Sequence, residues 1–586
     1  MSNQVPVAEP VPKSVPKPDP DPDPDPDSEP DSDSDSDSDP VAVIGAGPVG
    51  LTAALLLARW SLPVIVLERE PVRAPEGSRS ICQQRDVLDI WASAGASAVA
   101  EEGLAWTTAR TYYREQELFS WRFADTETLP PCVNISQTRT EEILEECVAA
   151  RGDLIEVRRG LDVAELEQDA RGVTLRCATG EEIRASYVVA CSGARSDVLR
   201  RALGVSFPGE SFDDRFLIVD LRADLGGWEH ERRFYFDPPW NPGRQVLIHP
   251  CPRSSYRIDW QVPPGFSLAE ERANGGLDRR IRQIIGDAPY ETSWVSVYRF
   301  HSRVADRMGI GRVLLAGDCA HLYAPFGARG LNSGVPDAEN AAWKIAFVAR
   351  GWAPDDLLET YHLERHAAAL ENLDVTAATM RFLVPQTAAE RDRRRAALDR
   401  AAADPAMAGE IDSGRFAEPF WYTGSPLTTP EPTRPAPAGR PPKGAPQTLA
   451  PGVIVPDTRV RIAGRPEITR LRELLRDGFT LLMDGEDEQL ADAARSATAA
   501  PVNVVHLKDL GSSAVDMRPG EVWLIRPDAH LAAILPRPGP HDIAAALARA
   551  TGQSATGKSA TGQREIGQRG TGHTHPGGPE RAKSPL

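Results

Sequence analysis

The chain has 586 residues, 41% of them hydrophobic and 26% charged, with a formal net charge of -18. That length allows two to four domains and a large buried core, and no apolar run approaches the ~18 residues needed to span a bilayer. Ten of the eighteen net negative charges fall in residues 1–40, so the remainder is only mildly acidic and carries no basic stripe; nucleic acid is excluded as a partner and a cytoplasmic location is expected.

The first forty residues end in KPDPDPDPDPDSEPDSDSDSDSDP, where proline removes donors, aspartates repel one another and nothing apolar offsets chain entropy. A disordered tail is expected over 1–40. From residue 41, VAVIGAGPVGLTAALLLARW reads as an apolar strand, a glycine turn and a long helix, and VIVLERE follows as a second strand. In that context GxGxxG is a dinucleotide cradle. Gly45 makes the tight turn, Gly47 lets backbone approach a pyrophosphate and Gly50 lets helix meet strand. The helix N-terminus suits an anion, and Glu68, ending the second strand, can accept from ribose hydroxyls. FAD and NAD both remain open from these residues alone.

Further along come SRSICQQRDVLDIW from 78, NISQTRTEEIL from 134, GLDVAELEQD from 160 and ACSGARSDVLRRALG from 190. Residues 201–296 then interrupt with alternating segments, ERRFYFDPPW, RQVLIHPCP and YRIDWQVPP. In the last, Tyr256, Ile258, Trp260 and Val262 share one face and Arg257, Asp259 and Gln261 the other, as in a half-buried antiparallel strand. Tyr235, Trp240 and His249 are candidates to line a pocket for a flat apolar substrate. His249, with an unperturbed pKa nearest neutrality, is the candidate to polarise a substrate hydroxyl.

At 313–334, VLLAGDCAHLYAPFGARGLNSG runs from an apolar strand through Gly-Asp into a glycine-studded turn that opens a helix. Proline-dense residues 424–452 read as an extended linker. Beyond it, a helical RLRELLRD leads into FTLLM, and VNVVHL and EVWLIRPDAHLAAIL read as strands of a small α/β layer. Seven cysteines, all at or before Cys319, show neither CxxC nor metal-ligand spacing and read as reduced structural thiols, with no metal site. The far end, from 541, is low-complexity.

These motifs, spread over roughly residues 41–390, together resemble the FAD-dependent aromatic hydroxylases, the class A flavoprotein monooxygenases, and among them the phenol and 3-(3-hydroxyphenyl)propionate hydroxylase branch. The resemblance implies an α/β fold: a Rossmann-type FAD-binding domain (41–200 and 297–395) interleaved with a β-sheet substrate domain (201–296). A helical extension and linker (396–448) and a thioredoxin-like domain without cysteines (449–540) follow, then a tail (541–586). It implies Asp318 on the ribityl hydroxyls, Pro325 and Gly327 letting backbone lie against the flavin, and Gly330, Leu331 and Asn332 opening a helix toward its N1/C2 edge. Arg79 and Gln137 would meet the pyrophosphate and Val163 the adenine. FAD, NADH or NADPH, O2, an aromatic substrate and a homodimer follow, with hydroxylation through a flavin C4a-hydroperoxide. Two departures stand out: Ser192-Gly193 replaces the family Asp-Gly, and Ser80 stands where phenol hydroxylases carry a basic aspartate, leaving the base unassigned. Baeyer-Villiger or epoxidising attack, and a non-catalytic flavin-fold binding protein, are the alternatives.

Overall fold

A computed structural model describes residues 39–73, 80–124, 126–414, 416–440, 448–511 and 515–553. Of the tails expected at 1–40 and 541–586, residues 1–38 and 554–586 lie outside the described residues, as does Arg79. Strand Val41–Ile44 sits inside a parallel sheet, with Val64–Glu68 on one side and Val188–Ala190 on the other. Val313–Leu315 and Ile155–Arg159 extend it, and Gly309–Ile310 adds a short antiparallel edge. Its inner strands are buried on both faces, which is why they read as unbroken apolar runs. Helices Pro48–Arg59 and Arg329–Ala349 share one core with this sheet. They approach closely because a Cβ at Gly334 would stand 2.6 Å from Val49 Cγ2.

A second, eight-stranded sheet runs in the order His321–Leu322, Tyr290–Val304, Gly209–Ala223, Ser255–Val262, Gln245–Cys251, Glu231–Phe236, Thr108–Tyr113, Gln116–Arg122. It is wider than the expected 201–296. Thr108–Tyr113 joins by parallel pairing to Glu231–Phe236, and Tyr290–Val304 runs past 296 along Gly209–Ala223. Each face has its own core. On the outer face Leu217, Val219, Val246, Ile248, Ile258 and Trp260 pack with Ile281 and Ile285 of helix Gly276–Ile285. On the inner face Phe216, Phe234, Phe236 and Leu247 gather around Phe326 and Met380.

The C-terminal sheet orders Val502–His506, Phe479–Met483, Glu521–Ile525, Leu531–Pro536, with the first pair parallel across helix Glu488–Ala497 and the rest antiparallel. It is a small α/β layer, and its last helix, Pro540–Ala550, runs past the boundary expected at 540. Three local expectations change. Helix Ala388–Ala403 crosses the boundary drawn at 395. RLRELLRD makes only a 3-10 turn, Leu471–Leu474. The proline-dense stretch is strapped down where it is described: Thr429 N–H donates to Ala532 O at 2.8 Å, and buried Arg434 grips Glu521 with two 2.9 Å bonds. Among the described residues, no helix is long and apolar enough to cross a membrane.

Candidate active site

The glycine turn at 45–50 is closed on one side and open on the other. Gly45 has φ +103°, and a Cβ there would lie 2.6 Å from Cys191 O; a Cβ on Gly50 would strike Gly45 O at 1.9 Å. Around Gly47 no heavy atom lies within 4 Å of where a Cβ would sit, and no side chain caps the helix that it starts. Glu68, at the end of its strand, accepts from Ala46 N–H at 2.7 Å and Glu70 N–H at 3.0 Å, holding its carboxylate at the mouth of the turn. Leu161 N–H bonds Glu68 O at 3.0 Å, bringing the start of strand Val163–Gln168 beside it; Val163 itself is buried.

The Gly-Asp segment stands against this turn rather than apart from it. A Cβ at Gly317 would lie 3.1 Å from Val49 Cγ2, so Val49 of GAGPVG is wedged between Gly317 and Gly334. Asp318 is half-buried in the turn Gly317–Cys319. That turn is anchored from the long helix by Asp337, which accepts from Gly317 N–H at 3.1 Å, His321 Nε2 at 2.7 Å and Arg365 Nε at 2.7 Å. Asp337 was not singled out from the sequence. Nothing local marks it, since the same helix also carries Arg329, Glu339 and Lys344.

Pro325 and Gly327 precede Ala328, a non-glycine in left-handed conformation (φ +54°) at the start of helix Arg329–Ala349. Gly330 faces open space, and Leu331 is buried. The Asn332 side chain is fully used: it accepts from Gln84 N–H at 2.9 Å and donates to Cys82 O and Ala328 O at 2.8 and 2.6 Å. Gln137 starts helix Gln137–Ala149 and accepts from Ser80 N–H at 3.0 Å. Ser192, the departure from Asp-Gly, shares a 2.7 Å bond with Ser196 Oγ and reaches Cys319 Sγ at 3.7 Å, next door to Asp318. The two glycine segments therefore pack against each other through Val49, as two walls of one cleft.

The cleft fits FAD. Gly47, Gly193 and Gly330 all look onto open space, two uncapped helix N-termini lie at its walls, and carboxylates Glu68 and Asp318 stand one on each wall. Comparison with known proteins agrees. A family model described as "FAD binding domain" matches residues 38–376 and one described as "Aromatic-ring hydroxylase, C-terminal" matches 448–554.

The chain belongs to the FAD-dependent aromatic-ring hydroxylases.

It is an FAD-dependent monooxygenase of that family. A rifampicin monooxygenase of Streptomyces venezuelae is 33% identical over 368 residues, 60% of this chain and 74% of that protein. A 3-(3-hydroxy-phenyl)propionate/3-hydroxycinnamic acid hydroxylase of Comamonas testosteroni is 32% identical over 364 residues, 60% of each. Among solved structures, the flavin-dependent monooxygenase PieE superposes with a TM-score of 0.72 at 23% identity, over 88% of this chain and 99% of PieE. That likeness shows the fold.

On the substrate side the three pocket candidates separate. Tyr235 stacks on Tyr112 at 4.6 Å and meets Trp240 at 5.6 Å on the outer face of the eight-stranded sheet, among the residues that pack on helix Gly276–Ile285. His249 lies on the inner face, where it pairs across from Arg257. The alternating strand 255–262 also differs from expectation. Its polar face looks inward, so Arg257 and Gln261 are buried rather than solvated. A cavity of about 360 Å³ reaches this face at Asp220 and Cys251, with Ile81, Ile135 and Arg139 on its far wall.

Gly47 offers a clean test of the cradle. Its φ of -75° and ψ of 178° suit any residue, so Gly47→Ala should leave apo-protein stability within about 0.5 kcal/mol. The methyl would stand where backbone must approach the cofactor. FAD affinity, followed by flavin fluorescence quenching, should fall about tenfold, or 1.4 kcal/mol.

Proposed function

We propose that this monooxygenase hydroxylates a phenolic or polycyclic aromatic compound, using O2 and NADH or NADPH. The observation that carries the reading is the inner sheet face above the Pro325–Gly327 turn. Phe216, Phe300 and Phe326 form an aromatic cluster there with ring centroids 4.8 to 6.5 Å apart, bordered by a few buried polar side chains. A flat, mostly apolar ligand with a few hydrogen-bonding groups suits such a lining. The phenolic compound in the name of the Comamonas relative supports the same class.

FAD, when bound, supplies reduction by a nicotinamide and activation of O2. The chain's own residues bind, orient and exclude water. Gly45, Gly47 and Gly50 form the proximal cradle, and Glu68 is suited to the ribose hydroxyls, with Val163 beside it. Asp318 is suited to the ribityl hydroxyls, and the uncapped start of the helix opened by Gly330, Leu331 and Asn332 would favour negative charge on the reduced flavin. Pro325 and Gly327 keep bulk away from that ring. Gln137 acts at one remove, through Ser80. The phenylalanine cluster keeps the reacting centre dry.

The test is direct. Purified protein should be yellow, and NADH or NADPH oxidation should rise at least tenfold with one member of a panel of phenols, hydroxyphenyl acids and polycyclic quinones. The product should gain one atom of labelled O2 with its ring intact. Protein without flavin, or a product expanded to a lactone, overturns the reading.

A further inference from the structure

The C-terminal unit reaches the flavin cleft through one buried arginine. Arg365, on helix Asp356–Leu383, donates from Nε to Asp337 Oδ1 at 2.7 Å and from a terminal nitrogen to Ser333 O at 3.3 Å. Asp337 also accepts from Gly317 N–H and so fixes the turn that carries Asp318. Ser333 is the residue after Asn332 on the helix that opens at the cleft. One guanidinium therefore ties together the two elements of the distal wall. It is 4% exposed, and its other terminal nitrogen donates to Tyr422 OH at 3.0 Å.

Tyr422 is itself set by the C-terminal unit. The Arg526 guanidinium lies 4.7 Å from the centre of its ring, and the His530 ring stands 4.4 Å away. Its N–H donates to Gly452 O at 2.7 Å, and Gly452 N–H donates to Leu531 O at 2.7 Å. Arg526 is in turn fixed between Glu364 and Asp528. Where the two units meet, a cavity of about 50 Å³ is lined by Asn332, Ser333 and Arg365 together with Tyr422, Asp528 and His530. Burial pushes the Tyr422 phenol up to about 12, Arg365 opposing it, so the group stays a hydroxyl and offers Arg365 a lone pair. A bond from an ionised donor is stronger than a neutral one, and a buried donor that loses it finds no water in exchange.

We propose that Tyr422 is a positioning residue for FAD: held by the C-terminal unit, its hydroxyl orients Arg365, and Arg365 sets the Asp318 turn against the Asn332 end of the helix. The C-terminal unit thereby takes part in cofactor binding from a distance. Linkage makes the effect reciprocal, since whatever factor the closed network adds to FAD affinity, FAD adds to closure of the network. The proposal rests on FAD binding alone and holds whichever substrate the enzyme takes.

The test starts from Tyr422→Phe, which removes one oxygen and keeps the ring beside Arg526 and His530. The FAD dissociation constant of the full chain, from equilibrium dialysis, should rise about tenfold. Arg434→Gln is the comparison, because it breaks a buried pair of the same unit whose partners, Glu521 and Asp516, lie outside this network. It should lower the melting temperature and leave FAD affinity within about twofold of wild type. Wild type supplies a readout that needs no variant to fold. In the turn after strand Glu521–Ile525, Arg526 N–H donates to His530 O and Ala529 N–H to Arg526 O. Saturating FAD should slow hydrogen exchange of these two amides about tenfold more than that of Val504 and Val505, on the outer strand Val502–His506. In Tyr422→Phe that difference should vanish. The proposal is overturned if Tyr422→Phe binds FAD within twofold of wild type, or if Arg434→Gln loses as much affinity as Tyr422→Phe, the mark of a merely structural role. Equal slowing at the turn and at the outer strand in wild type overturns it too.

Discussion

Glu364→Ala is expected to cost about 3–5 kcal/mol of stability, because it strands two buried cations at once. Glu364 is 2% exposed and accepts from Lys344 Nζ at 2.7 Å, from both terminal nitrogens of Arg526 at 2.5 and 2.9 Å, from Ser425 Oγ at 2.6 Å and from Asn340 Nδ2 at 2.8 Å. Lys344 and Arg526 are themselves out of solvent. Burial alone would raise the Glu364 carboxyl, yet Arg526 and then Lys344 outweigh it and hold the group below its usual range. Its contribution is therefore present above the ordinary 4.5 and is lost as pH falls below it. Since Lys344 belongs to the long helix and Arg526 to the C-terminal sheet, the variant should also loosen the contact between them. Urea unfolding should show the lower midpoint, and proteolysis should cut the 424–452 stretch sooner. Arg495→Ala, which removes only exposed pairs to Glu488 and Asp492, should change stability by less than about 0.5 kcal/mol.

Asp337→Asn is the second large effect, and it acts on cofactor binding as well as stability. The carboxylate is fully buried, and burial is outweighed by Arg365 and then His321, which keep it ionised below the usual range. Arg365 is held also by Tyr422 OH at 3.0 Å and Ser333 O at 3.3 Å, so the guanidinium cannot follow a lost partner into solvent. The amide would leave that charge uncompensated, at about 3–5 kcal/mol. It also offers a donor where Gly317 N–H needs an acceptor. The turn carrying Asp318 should shift, and FAD affinity should fall more than tenfold, measurable by equilibrium dialysis alongside calorimetric unfolding. Wild-type stability owed to Asp337 should persist above the ordinary carboxylate value of 3.8 and fade as pH drops below it.

The cofactor walls were legible in the sequence because they are built from neighbours. Strand, glycine turn and helix lie within 41–60, and Gly-Asp, turn and helix within 313–349, so composition and period reveal them locally. The substrate side was not, because alternation marks two faces of a strand without saying which one meets water. Arg257, Asp259 and Gln261 look like a solvated face until a second layer is laid over them. Strand Thr108–Tyr113 escaped notice for a related reason: it joins the sheet by pairing with Glu231–Phe236, more than a hundred residues away, and Gln116–Arg122 is only its hairpin partner at the edge. RLRELLRD looks like a surface helix, yet Arg470 and Arg476 are buried on Asp89 at 2.8 and 2.5 Å, and Arg476 also meets Glu339. Only the tertiary fold supplies those counter-charges.

The order of the parallel sheet has a consequence for synthesis. Val41–Ile44 is flanked by a strand made almost at once, Val64–Glu68, and by one that emerges only at Val188–Ala190, with the next at Val313–Leu315. At ~5–20 residues per second, a nascent chain spends tens of seconds with the first cradle complete and its apolar edge strands unpaired. The N-terminal half is thus a poor stopping point: a ribosome stalled before residue 313 would hold a half-built sheet with exposed edges, prone to pairing with other chains and a natural client for chaperones.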